Sequence, residues 1–124
     1  MIETDVVTIL RADVDVTALA GDRVTPGYLV YEGTFPAIAV RRSSGQPSYT
    51  FSGEGSESTV LLVICWGAGW AVARSLAEAA RAALRKYSGG TIEIISVADG
   101  EDIPVAETME YGCTLVVTVD HEEE

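Results

Sequence analysis

Between Ser58 and Gly90 the chain passes through an apolar stretch, a glycine-bearing turn and an Ala/Arg-rich segment of helical period, and that order leaves few architectures open. Ser58 to Trp66 reads as a strand. Val60, Leu62, Ile64 and Trp66 fall on one side of it, and Leu61, Val63 and Cys65 on the other. Apolar side chains on both sides imply that both faces are covered; helices are the expected cover on one, and a neighbouring subunit is a candidate for the other. From Trp70 to Tyr87 the period lengthens to three and four. Ala73, Leu76, Ala80, Ala83, Leu84 and Tyr87 make the core stripe, and Arg74, Glu78, Arg81 and Arg85 take the opposite side. Glu78 is spaced to pair with Arg74 or Arg81, each worth a few tenths of a kcal/mol. Arg85 and Lys86 suit the negative end of the helix dipole. Ser88-Gly89-Gly90 closes the helix, and its small alanines let it lie close to a sheet.

The rest of the chain supplies further elements. Val6, Val7, Ile9 and Leu10 form the apolar side of an opening helix that Thr4 or Asp5 can cap. A second short helix follows at 16–20, with Gly21 as its stop. Residues 22–27 read as an extended connector ending in Pro26-Gly27 turn chemistry. Pro36 to Arg42 is a strand with its proline at the tolerated first position. Residues 43–57, rich in Ser and Gly, make a flexible hairpin-like excursion in which Tyr49 and Phe51 sit on a short strand arm; connections of this length are functional or mobile. Thr91 to Val97 is a strand expected to run parallel to Ser58–Trp66 after a right-handed crossover. Residues 99–104 read as an acidic loop. Cys113 to Asp120 alternates as a half-buried strand, and residues 121–124 form an acidic tail. The expected fold is α+β in one domain over 1–124: a four- to five-stranded, mixed, mostly antiparallel sheet with one long helix and short N-terminal helices packed on one face.

Charge bounds the function. The net charge is −11, and all eight Lys and Arg lie at or before Lys86, whereas the chain beyond it holds ten acids and no base. A nucleic-acid binder needs clustered cations, so affinity for a phosphate backbone is disfavoured. The acidic third serves solubility, or repels a polyanion, or docks a basic partner. Cys65 and Cys113 form no metal or redox motif, and each falls in an apolar strand where a reduced, packed thiol is the expected state. Met1-Ile-Glu-Thr-Asp is acidic and lacks the apolar core of a signal peptide, so synthesis is expected in a reducing cytoplasm. The apolar run from Val60 to Ala73 is shorter than the roughly 20 residues a membrane span needs.

No reactive constellation emerges. Gly67-Ala68-Gly69 lies between a strand and a helix, as a dinucleotide fingerprint does, but Val72 stands where the third glycine belongs and no ribose-binding acid follows. His121, the one histidine, is about 27 Å from Cys113 along an extended strand, too far for a dyad. Asp99, Glu101 and Asp102 lack the spacing of a calcium loop. No cofactor, metal or catalytic residue is expected, and the chain reads as non-enzymatic. Trp66 and Trp70 flank the turn and suit either core packing or a subunit contact.

Three segments carry a family resemblance: Gly-Asp-Arg-Val-x-Pro-Gly at 21–27, Pro-Ala-Ile-x-Val-x-Arg at 36–42, and the strand ending in Cys65-Trp66 followed by the Ala/Arg/Leu pattern of 71–84. In this order they resemble the tail-completion or tail-terminator proteins of long-tailed bacteriophages and prophages, over nearly the whole chain. The resemblance implies a structural virion protein, assembled in the bacterial host cytoplasm, that closes as a homo-oligomer into a hexameric ring. Such a ring caps the head-proximal end of the tail tube, ends tail polymerisation and offers the head–neck connector a joining surface, with DNA passing through unbound and no membrane involved. Arg41, Arg42, Tyr49, Phe51, Trp66 and Trp70 are the expected partner contacts. Glu101, Asp102, Glu122 and Glu123 are expected to face the channel or the adjacent ring. A head–tail connector is the nearest alternative, and a small-ligand or regulatory domain the next.

Overall fold

A computed structural model describes residues 2–21, 23–26, 36–42, 56–87, 92–105 and 110–122. Among these residues three helices and five strands follow in the order α1 (Ile2–Arg11), α2 (Val14–Ala20), β1 (Val24–Pro26), β2 (Ala37–Arg42), β3 (Ser56–Gly67), α3 (Trp70–Lys86), β4 (Ile92–Val105) and β5 (Glu110–Glu122). The strands form one mixed sheet in the order β1-β2-β3-β5-β4. Only β1 and β2 pair in parallel; the other three pairings are antiparallel. The expected α+β architecture is the one observed.

One side of the sheet holds the core. Val6, Val7 and Leu10 of α1, Val16 and Ala20 of α2, and Ala73, Leu76, Ala77, Ala80, Ala83 and Leu84 of α3 pack with Leu61, Val63 and Cys65 of β3 and Leu115, Val117 and Val119 of β5. The α3 stripe gains Ala77, while Tyr87 is half-buried at its end and closes the helix through its amide to the Leu84 carbonyl. Each fully buried Leu or Val contributes about 1.5–3 kcal/mol of transfer free energy, so this single layer of helix against sheet is the main source of stability.

Local chemistry fixes the joints. The Asp13 carboxylate accepts from the amides of Asp15 and Val16 and caps α2, and Gly21, at φ 60°, ends it. The same carboxylate receives Lys86 Nζ at 2.9 Å, tying α2 to the last turn of α3. Lys86 lowers the Asp13 pKa, and Asp13 raises that of Lys86. Arg74 pairs with Glu78 at 2.9 Å, and both Arg74 and Arg81 reach Asp99 on β4, which fastens the helix to the sheet edge. The Arg85 guanidinium donates to the Val97 carbonyl.

Several expectations change. The helix begins at Ile2, so Thr4 and Asp5 lie inside its first turn rather than capping it. Residues 24–26, expected as part of a connector, pair with β2 as a short edge strand, because the Ile38 amide bonds the Arg23 carbonyl and starts the ladder. β4 does run parallel to β3, but β5 inserts between them, so the two strands never pair. Residues 99–104 are strand rather than loop. The register steps from Asp99↔Leu115 to Asp102↔Cys113, so one extra residue on β4 forms a bulge. Gly100 fits there because a Cβ would meet Val116 Cγ2 at 3.0 Å. The excursion is shorter than expected at its C-terminal end, since Ser56 and Glu57 already pair with Glu122 and His121, and those two residues belong to β5 rather than to a tail. Tyr49, Phe51, Glu123 and residues 43–55 as a whole lie outside the described residues.

Candidate assembly surface

The period of two along β3 sends alternate side chains away from the helices. Val60, Leu62, Ile64 and Trp66 point to this outer face, and register places Ala37, Ala39 and Arg41 of β2 and Thr114, Val116 and Thr118 of β5 beside them. Among the described residues no helix lies over it. Its centre is nonetheless close-packed: Ala37, Ala39 and Ile64 are buried, while Val60, Leu62, Trp66 and Val116 are half-buried. The Trp66 indole covers its cross-strand partner Gly112; a Cβ at Gly112 would lie 3.0–3.2 Å from the ring. Cross-strand covering of a glycine by an aromatic ring secures register at the end of a strand.

Beyond that strand end the chain turns through Gly67-Ala68-Gly69 into α3, whose first residues stand clear of the core. Trp70 is 57% exposed and Val72 39%, and Ala68 and Ala71 are exposed beside them. The core stripe starts only at Ala73, so the first turn of α3 presents its apolar side chains outward. Gly67 makes this turn possible: a Cβ there would come within 2.6 Å of the Ala73 amide nitrogen.

The expected contact residues divide. Arg41 and Trp66 share the outer face, and Trp70 projects just past its end. Arg42 pairs with Leu61 and therefore faces the helices, where its Nε lies 3.2 Å from Glu3 of α1. Glu101 and Asp102 are exposed on β4, which is an edge strand of the described sheet. Asp102 Oδ2 accepts from the Tyr111 hydroxyl at 2.9 Å, and this neighbouring carboxylate raises the tyrosine's pKa. Glu122 ends β5. Val72, the Asp99 link to Arg74 and Arg81, and the Asp13–Lys86 tie were not expected as features. Val72 could have been found as an apolar residue outside the helical stripe; the two ion-pair sites depend on tertiary placement.

Cys65 and Cys113 are free, buried thiols, directly opposite each other on β3 and β5. Burial pushes both pKa values up. Among the described residues no cluster of three or more His, Cys, Asp or Glu could hold a metal ion, and no helix is long and apolar enough to cross a membrane.

The described residues thus form an α+β unit with helices on one side of its sheet, apolar side chains along the other, and an exposed aromatic at the rim. The family model described as "Tail completion protein gp17" matches residues 4–118, and the chain belongs to that family of phage tail structural proteins. Among solved structures it is similar to a chain of the "Virion of native gene transfer agent (GTA) particle". The TM-score is 0.65 at 21% identity, over 95% of this chain and 92% of that one, a likeness of fold. A search of curated proteins returns no match.

Proposed function

We propose that this protein is a tail terminator: copies of it close into a ring, a hexamer, that sits on the head-proximal end of the tail tube, stops its polymerisation and provides the surface to which the head–neck connector joins. Membership of the tail-completion family supplies the context. The observation that carries the reading is the run of apolar side chains from the outer face of β3 to the first turn of α3, where Trp70 and Val72 are left to solvent by the chain's own helices. Aromatic side chains in such a place suit the centre of a subunit contact. The protein works by shape, without catalysis and without a cofactor.

The acids of the β4 edge and the C-terminal end, Glu101, Asp102, Glu122 and Glu123, face the channel or the adjoining ring in this reading. An anionic lining repels the phosphate backbone and lets DNA slide through unbound.

The test is assembly. Native mass spectrometry and negative-stain microscopy of the protein, alone and with purified tail tubes, are expected to give a ring with a central hole, free or seated at one tube end, and tubes that no longer elongate. A protein that stays monomeric in both conditions and leaves tube growth unchanged refutes the proposal.

A further inference from the structure

Forty-seven residues lie between the two cysteines in the chain, yet register sets them face to face. Residues directly opposite on antiparallel strands have Cα atoms roughly 4.5 or 5.5 Å apart, depending on the ladder position. Both spacings fall within the range of about 4.4–6.8 Å that a disulfide spans. Cys65 and Cys113 also share one face of the sheet: both belong to the core cluster beneath α3. Two thiols so placed need no backbone rearrangement to join.

We propose that Cys65 and Cys113 are a dithiol site for reversible oxidation, closed to a cross-strand disulfide by a low-molecular-weight disulfide or an equivalent two-electron oxidant. The bond would fasten β3 to β5 at the middle of the sheet. It would close the loop carrying α3 and β4, the part of the chain that bears Trp70 and the Asp99–Asp102 edge. This inference concerns the individual protomer and stands whether or not the ring reading holds.

The chemistry balances as two thiol–disulfide exchanges. The Cys113 thiolate attacks one sulfur of the oxidant. A bond forms from Cys113 Sγ to that sulfur, the oxidant's own S–S bond breaks, and the departing thiolate takes up a proton. The Cys65 thiolate then attacks Cys113 Sγ and displaces the second half of the oxidant. Two protein thiols lose two electrons and two protons, and one oxidant disulfide becomes two thiols. Cys113 acts first because the Arg74 guanidinium offsets part of the rise that burial and the Asp102 carboxylate cause in its thiol, whereas burial and the neighbouring Cys113 both act to raise that of Cys65. Both side chains are buried, so the reaction waits on local opening of α3 over the sheet and is slow. In a reducing cytoplasm the pair stays open; in a particle outside the cell it closes.

The experiment uses the purified full chain incubated with oxidised glutathione, or with dithiothreitol as the reduced reference. The samples are then denatured, alkylated, digested and mapped by mass spectrometry. The expected product is one intramolecular crosslink joining the peptides of Cys65 and Cys113. It comes with a rise in Tm of roughly 5–15 °C that dithiothreitol reverses. Cys65→Ser is expected to trap a glutathione adduct on Cys113 several-fold faster than Cys113→Ser traps one on Cys65. Because the oxidised and reduced wild-type protein are compared directly, the result does not depend on either variant folding. Two alkylatable thiols after prolonged oxidation, or only glutathione adducts and intermolecular dimers from the wild type, would overturn the proposal. Equal adduct rates in the two serine variants would overturn the order of attack assigned to Cys113.

Discussion

Asp13 performs two tasks that substitution can separate. Its carboxylate accepts from the amides of Asp15 at 3.0 Å and Val16 at 3.1 Å, and it receives Lys86 Nζ at 2.9 Å from the last turn of α3. Asp13→Ala strands both amides, and the one on Val16 is buried, so the loss belongs at the upper end of the range for a helix cap, about 2 kcal/mol. For a chain of this length that corresponds to a fall in Tm of roughly 6–10 °C. Asp13→Asn keeps an oxygen for the cap and removes only the charge. Lys86 is exposed and solvent screens its pairing, so the Asn variant is expected to lose clearly less than the Ala variant. Titration adds an independent reading. The folded Asp13 carboxyl lies below its ordinary value of 3.8, so its charge stabilises the fold above that pH and the contribution is lost as pH falls through the folded value. Lys86 is shifted above 10.5, so its share is complete below that pH and lost as pH rises through its folded value. The gap between wild type and Asp13→Asn should therefore be flat from about pH 5 to 9 and close in acid. Urea unfolding of the three proteins across pH measures all of this. Equal losses for the Ala and Asn variants would refute the cap as the main contribution; no loss for Ala would refute the whole account.

Three further outcomes follow from the same geometry. Gly67→Ala brings a Cβ within 2.6 Å of the Ala73 amide nitrogen and should cost about 1–3 kcal/mol in urea unfolding, whereas Gly69→Ala, with nothing within 4 Å, should cost under about 1 kcal/mol. Asp99→Ala leaves Arg74 and the half-buried Arg81 without their shared carboxylate, a loss of about 1 kcal/mol that should shrink as salt is added. Trp70→Ser removes a side chain that is 57% exposed, so monomer stability should move by no more than about 0.5 kcal/mol while the fraction of rings in native mass spectra falls.

Elements whose side chains all obey one period were legible in the sequence. β3 and β5 alternate, and α3 keeps its stripe from Ala73 to Leu84, so the faces their sequences define are the faces they present. What escaped depended on pairing between distant segments. Val24–Pro26 is too short to show a period, and it is a strand only because β2 lies beside it. Asp99-Gly100-Glu101-Asp102 has turn composition, yet β5 continues past it and the extra residue is absorbed as a bulge. The insertion of β5 between β3 and β4 leaves no local trace, since each strand is equally apolar whichever neighbour it takes.

The two tryptophans show why an exposed apolar surface is harder to read than a core. They stand four residues apart with the same residue type and the same small neighbours, and the sequence offers one description for both. The fold separates them. Trp66 ends a strand and lies over Gly112, so its ring is used within the chain. Trp70 opens a helix whose core stripe begins three residues later at Ala73, so its ring has no use within the described core. An exposed apolar side chain is ordinary when scattered. It becomes informative once the architecture has shown which apolar side chains are buried, and among the described residues the large ones left exposed are Val14 and Leu19 on α2 and Trp70 and Val72 in the first turn of α3, of which only the last two adjoin the outer face of β3. The hypothesis of assembly by self-contact therefore rests on Trp70 and Val72 more than on Trp66, because those two side chains are exposed whereas the Trp66 ring is half-buried over Gly112.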